Sequence, residues 1–152
     1  MKRAFGNTIT RLLWGGTTLN PVEHQLLERL VAELPTPIRM IAEQQLDAYN
    51  LVQREADGRA LNFYRKRGGS PNNMEGLPLL DSKLQEAPLV RLTASLEGFH
   101  RPLHAVLTAV QGRIFCMSLS ERVPPEHPSA PLQVLRVEQS WKANIRLHHA
   151  DT

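Results

Sequence analysis

The sequence predicts a single α+β domain in which two helices cover one face of a mainly antiparallel sheet. Apolar residues recur at helical spacing up to about residue 46, and beyond it they alternate at the two-residue spacing of strands. Turn-forming residues separate the alternating segments. Helices followed by strands are typical of the α+β class. A chain of 152 residues is long enough for one such domain, which would bury about 70% of its unfolded surface.

The composition is that of a globular protein and excludes several other classes. The hydrophobic fraction of 41% and the charged fraction of 22% are near globular averages, which argues against a disordered chain. No apolar run reaches the roughly 20 residues that a membrane-spanning helix needs. Cys116 is the only cysteine, so no intrachain disulfide can form and we expect a cytoplasmic protein. A net charge of +3 is too small to indicate a nucleic-acid or membrane partner by itself.

Residues 1–19 are interpreted as a short N-terminal arm. Phe5, Ile9 and Leu12 lie on one helical stripe that two glycines end. We expect the arm to fold onto the domain, and a lipid-binding amphipathic segment is the alternative. The basic start of the arm is not followed by a secretory cleavage pattern, although its lack of acidic residues leaves a transit peptide as a second alternative.

The first helix is predicted over about residues 21–34. Asn20 is a favourable N-cap, Pro21 fits the first turn, and Glu23 completes a capping-box pattern. Pro35 ends the helix. We expect the charged residues, Glu23 among them, to lie mostly outside an apolar face that consists of Val22, Leu26, Leu27, Leu30, Val31 and Leu34.

A second, shorter helix is predicted over about residues 37–46. Thr36 and Pro37 repeat the start signal, and Ile38 and Ile41 lie on one apolar face. The two helices are therefore consecutive, with a tight proline break between them.

Two strands, at about 48–55 and 60–66, are predicted to form a hairpin. Asp57 and Gly58 are a strong signal for a two-residue hairpin turn. Aligning the strands across this turn pairs Val52 with Phe63 and Leu51 with Tyr64. A loop follows over residues 68–88, and its length indicates a functional or mobile segment.

Three further strands, at about 89–97, 101–110 and 113–119, are predicted to form an antiparallel meander. One face carries the apolar residues Val90, Leu92, Ala94, Leu96, Leu103, Ala105, Leu107, Ala109, Ile114 and Cys116. A proline-rich loop over 123–131 separates the meander from a sixth strand at about 132–138.

His100 and His104 have the four-residue spacing of metal ligands on a helix. Pro102 lies between them, however, and the surrounding residues alternate as a strand. Four residues along a strand span roughly 13 Å, too far for two ligands of one ion. We therefore predict no metal site and no cofactor, and interpret both histidines as residues of the sheet surface.

No catalytic motif is recognised in the chain. Cys116 lies between Phe115 and Met117 without an adjacent basic residue, which favours a buried, unreactive thiol over a nucleophile. No nucleophile elbow, phosphate-binding loop or dinucleotide-binding turn is present in the sequence. We expect a protein that is not an enzyme.

The second face of the meander is also apolar, and we predict that it contacts a partner. The residues assigned to this surface are Val106, Phe115, Met117 and Leu119, with Val110 beside them. A sheet that is apolar on both faces is covered within its own domain or buried against another molecule. Three alternatives follow: cover by the helices and first hairpin, a homodimer or protein partner, and a closed curl around a ligand pocket.

A basic and aromatic segment suggests nucleic-acid binding as an alternative function. Its residues are Arg59, Tyr64, Arg65, Lys66 and Arg67. Basic side chains hold phosphates and aromatic rings stack on bases, although the cluster is short and charged strand ends are common.

The sequence thus favours a small, non-enzymatic binding protein that acts through protein contact or self-association by a sheet face. A nucleic-acid-binding module is the first alternative. A ligand carrier or enzyme with a pocket between helices and sheet is the second.

Overall fold

The computed structural model describes residues 16–70, 73–80, 85–127 and 131–139. Two helices precede six strands: α1 (Pro21–Ala32), α2 (Thr36–Ala48), β1 (Leu51–Arg54), β2 (Ala60–Tyr64), β3 (Glu86–Ser95), β4 (Leu103–Val110), β5 (Arg113–Leu119) and β6 (Gln133–Gln139). The strands form one antiparallel sheet in the order β1-β2-β5-β4-β3-β6. The predicted α+β class is confirmed. Most of the predicted arm, at 1–15, and the tail beyond 139 lie outside the described residues.

Helix α1 begins where the sequence predicts, and a capping box defines its start. The N–H of Glu23 donates to the Asn20 side chain at 2.8 Å, and the N–H of Asn20 donates to the Glu23 carboxylate at 2.9 Å. Arg54 of β1 forms an ion pair with the same carboxylate. The prediction that Glu23 lies outside the buried face is wrong, because its side chain is only 1% exposed beneath Arg54. A partner charge and a capped backbone together allow this carboxylate to be buried.

Both helices lie on the same face of the sheet and share one core with it. On α1 the buried residues Val22, Leu26, Leu27 and Leu30 form the stripe that the sequence predicts. The inward residues of β3 and β4 are also those predicted: Val90, Leu92, Ala94, Leu103, Ala105, Leu107 and Ala109. One face of the sheet is therefore covered by helices.

The β1–β2 hairpin has the predicted register. Val52 lies opposite Phe63 and Leu51 lies opposite Tyr64. Gly58 has a φ of +73° in the turn, a conformation that glycine adopts without steric cost. The Asp57-Gly58 signal therefore gave the correct location of the turn. The turn has four residues, 56–59, rather than two, because the Glu55 N–H donates to the Ala60 carbonyl and the Gly58 N–H donates to the Glu55 carbonyl, both at 2.9 Å.

Strand β5 departs from the predicted alternation at a bulge. Its pairing with β4 shifts between Thr108 opposite Cys116 and Ala109 opposite Ile114, so Phe115 is an extra residue on β5. The shift exchanges the two faces of β5, because side chains alternate with a period of two. The prediction that Met117 and Leu119 share a face with Val106 and Phe115 is wrong, since both lie in the core, 0% and 6% exposed. Cys116 was expected in the core and lies on the other face, opposite Thr108.

The described part of the 68–88 loop is packed against one end of the sheet. Leu80 is buried, and its N–H donates to the Gly112 carbonyl at 2.8 Å. Gln45 of α2 is fully buried and binds the same region: its Nε2 donates to the carbonyls of Pro78 at 2.8 Å and Gly112 at 3.1 Å. Its Oε1 accepts the Ile114 N–H at 2.8 Å. One amide side chain therefore connects helix, loop and sheet.

Candidate binding surface on the open face of the sheet

The face of the sheet opposite the helices is a candidate binding surface. Cross-strand partners share a face, so the ladders identify its members. We call it the open face, and its central residues are Asn62, Tyr64, Arg91, Thr93, His104, Val106, Thr108, Val110, Phe115, Cys116 and Ser118. Within the described parts of the chain, no helix packs on this face.

The middle of the open face is apolar or weakly polar. Val106, Thr108 and Cys116 on neighbouring strands are all half-buried. Such residues are neither in the core nor fully hydrated, and a partner could bury them at little polar cost. Val106 and Phe115, two of the four residues predicted for partner contact, lie here, whereas the other two do not.

An aromatic pair lies beside this centre. The rings of Tyr64 and Phe115 are 5.8 Å apart and nearly perpendicular, at 81°. The guanidinium of Arg113 lies 4.7 Å from the centre of the Phe115 ring. One face of this ring is therefore covered by a cation rather than available for stacking.

A basic hollow occupies the β4–β3–β6 side of the open face. It has a volume of about 260 Å³ and includes Arg91, Thr93, His104 and Arg136 in its lining. Thr93 Oγ1 and His104 Nδ1 are 3.0 Å apart, and Arg136 forms a 2.6 Å ion pair with Glu138. Arg91 and Thr93 alternate in the sequence with the inward residues Val90, Leu92 and Ala94, which places them on the outer face, but no sequence signal connects them with Arg136.

Glu138 lies opposite Arg91 within the basic hollow, and the other acidic residues of this face lie toward other margins. Glu55 follows β1 and accepts a 3.4 Å hydrogen bond from Asn62, and Glu86 begins β3 opposite Val110. Burial raises the pKa of the Cys116 thiol to about 11, and the nearby carboxylates of Glu55 and Glu86 add to this effect. A thiol with a raised pKa is a poor nucleophile at neutral pH.

One cross-strand row connects the acidic and basic margins. Glu55 donates its N–H to Ala60, Ala60 lies opposite Ser118, Ser118 opposite Val106, and Val106 opposite Arg91. Neighbouring strands are about 4.8 Å apart, so Glu55 and Arg91 are separated by roughly 19 Å across the sheet. Ser118 lies at the middle of this row.

The residues predicted for nucleic-acid binding are not gathered on one surface. Arg59 precedes β2 and the basic cluster 65–67 follows it, so they lie at opposite ends of that strand. Only Tyr64 lies on the open face, packed against Phe115.

Two arginines of this set already have local partners. Arg59 Nε lies 3.3 Å from the Asp57 carboxylate, and the backbone N–H of Arg59 lowers the pKa of that carboxyl. Arg65 donates to the Glu75 carbonyl at 2.8 Å. These contacts hold the side chains of Arg59 and Arg65 against their own loops, so the two arginines do not form one basic surface.

The two histidines of the 98–120 segment lie in different elements. His104 is on β4, whereas His100 is in the β3–β4 turn. Among the described residues, no three His, Cys, Asp or Glu side chains are grouped closely enough to hold a metal ion.

Neither helix in the described ranges combines the length and apolar content needed to cross a bilayer. No protein-family model, curated protein or solved structure matches the chain.

Proposed function

We propose that this chain is a non-enzymatic binding protein that acts through the open face, and that the first occupant of this face is a second copy of the chain. The observation that carries the proposal is the cross-strand row from Glu55 to Arg91. Glu55, which follows β1, and Arg91 on β3 carry opposite charges, and small or aliphatic residues lie between them, while Glu138 lies beside Arg91 on β6.

This row is self-complementary under two-fold symmetry. A two-fold axis running along β5 above Ser118 exchanges the β1 side of one copy with the β3 side of the other. Each Glu55 then faces the partner copy's Arg91, while Val106 and Cys116 are buried near the axis. Two-fold interfaces use the same surface on both subunits, and two such sheets pack about 10 Å apart with nearly aligned strands.

The chemistry of the face supports binding rather than catalysis. The Cys116 thiol stays protonated near neutral pH, and the Nδ1 atom of His104 lies against Thr93. The space between helices and sheet is filled by large buried side chains such as Leu26, Phe63 and Leu92, which gives the alternative of an internal ligand pocket less support.

The nucleic-acid alternative has weaker support from the contacts. The ring face of Phe115 is occupied by Arg113, and Arg59 is paired with Asp57. Single-stranded nucleic acids need accessible aromatic faces and basic groups gathered along one groove.

The test is the molar mass in solution, measured by light scattering during gel filtration over a range of concentrations. We expect a dimer that dissociates on dilution. Val106→Asp should yield a monomer at all concentrations, because it places a charge near the two-fold axis. Met40→Asp is the matched control, since Met40 is 56% exposed on α2, away from the open face.

A charge reversal tests the proposed register. Arg91→Glu should weaken the dimer about tenfold, and the double variant Arg91→Glu with Glu55→Arg should restore it. A wild-type monomer, or a dimer that Val106→Asp leaves intact, would overturn the proposal. Binding of single-stranded RNA that Arg65→Gln abolishes would favour the nucleic-acid alternative instead. Circular dichroism confirms that each variant is folded.

A further inference from the structure

A second candidate site lies at one end of the sheet, apart from the open face. The β1–β2 turn, the β3–β4 turn and the segment after β5 meet there. The β3–β4 turn and the segment after β5 border a cavity of about 340 Å³, which we call the end cavity. Its lining includes Phe99, His100, Arg101, Glu121, Arg122 and His127. Loops supported by a rigid sheet commonly carry binding residues.

One wall of the end cavity is held by the His127 imidazole. Its Nε2–H donates to the Glu97 carbonyl at 2.9 Å, and its ring centre lies 5.4 Å from that of Phe99. Gly98 has a φ of +90°, and a Cβ at this position would lie 3.1 Å from the His127 Nε2 atom. The turn therefore requires glycine for the imidazole to approach, and the aromatic wall has a defined position.

The lining also includes Arg122, whose stem is held by packing. A Cβ on Gly58 would lie 2.7 Å from Arg122 Cγ and 2.8 Å from Cδ, so the stem lies directly on the β1–β2 turn. Arg101 contributes a second guanidinium from the β3–β4 turn. Neither arginine forms an ion pair with another residue in the described part of the chain.

The charge and shape of the end cavity indicate its ligand. The lining contains two guanidinium groups and one carboxylate, that of Glu121, so its net charge is positive even when the histidines are neutral. Guanidinium groups bind phosphate oxygens with paired hydrogen bonds. The volume is at the lower limit for small-molecule sites and exceeds what an isolated phosphate needs, and Phe99 provides an apolar surface.

We propose that the end cavity binds a small phosphate monoester whose organic group is aromatic. The phosphate lies between Arg101 and Arg122, and the ring packs against Phe99. This site is independent of self-association through the open face, because it shares no residue with that face.

The test uses phenyl phosphate and inorganic phosphate as probes, with affinities from isothermal titration calorimetry and contacts from amide chemical shifts. We expect phenyl phosphate to bind more tightly than inorganic phosphate and to shift the amides of Gly98, Phe99 and Arg122. Arg101→Gln and Arg122→Gln should each weaken phenyl phosphate binding about tenfold. Arg67→Gln, the same charge change at an exposed position at the other end of β2, should leave it unchanged.

Several results would overturn this proposal. One is the absence of binding by both probes, and another is an equal loss in all three arginine variants, which indicates unspecific attraction. Equal affinities for phenyl phosphate and inorganic phosphate would show that Phe99 does not bind the phenyl ring. Both arginines of the cavity are exposed, so the variants are expected to fold, and circular dichroism checks this.

Discussion

Replacing Gln45 by leucine removes the side chain that connects α2, the 73–80 segment and β5. Leucine has a similar volume but forms none of the three hydrogen bonds of the amide. The Gly112 carbonyl keeps a partner, because it also accepts the Leu80 N–H. The Pro78 carbonyl is only partly buried and can bind water, whereas the buried Ile114 N–H loses its acceptor.

The expected loss of stability is the sum of these effects. A buried unsatisfied N–H costs about 1–3 kcal/mol, and each lost bond to a carbonyl that keeps another partner or can bind water costs about 1 kcal/mol or less. We therefore expect Gln45→Leu to lower the free energy of unfolding by about 3 kcal/mol. For a chain of this size, that corresponds to a fall in Tm of about 6–12 °C.

The measurement is urea unfolding followed by circular dichroism, with hydrogen exchange of the Ile114 amide as a local readout. Gln44→Leu is the control, since its exposed neighbouring side chain should change stability by no more than about 0.5 kcal/mol. If Gln45→Leu costs no more than this control, or if the Ile114 amide stays protected, the reasoning about the buried amide is refuted.

Three further predictions concern other contacts. The Cys116 thiol has a pKa of about 8.5 in the unfolded chain and about 11 in the folded protein. Alkylation of the folded protein should therefore be slow at neutral pH, and the free energy of unfolding should fall as the pH rises between these two values. Gly112→Ala should lower the free energy of unfolding in urea by about 2 kcal/mol or more, since φ is +81° and a Cβ would lie 2.4 Å from a carbonyl oxygen. Gly69→Ala is the control and should leave this free energy nearly unchanged, because the space around Gly69 is open. Arg54→Met should cost about 3 kcal/mol because it leaves the buried Glu23 carboxylate without its cation, and adding Glu23→Gln should recover part of the loss.

Most of the fold follows from local sequence signals. The capping box at Asn20 and Glu23 and the turn at Asp57 and Gly58 each depend on residues within a few positions of one another. The alternation in 89–97 is equally local. Such signals are readable from one sequence because the interactions that produce them are short-range.

The errors have a different origin, in contacts between distant residues. The bulge at Phe115 results from the pairing of β5 with β4, and no glycine or proline within β5 indicates it. One extra residue was enough to exchange the faces of Met117 and Leu119 and so to misplace half of the predicted surface. The burial of Gln45 likewise depends on backbone atoms 33 to 69 positions away.

The strand order also divides the described chain into two halves. Residues 21–64 provide both helices and two strands, residues 86–139 provide four strands, and the halves join where β2 pairs with β5 through three residue pairs. Beside this short ladder, the Gln45 amide accepts the Ile114 N–H and the Tyr49 hydroxyl donates to the Ile114 carbonyl. The strands of the second half are covered by helices of the first, so neither half can bury its apolar surface alone. A cut in the connecting loop would therefore leave two fragments that fold only on meeting each other.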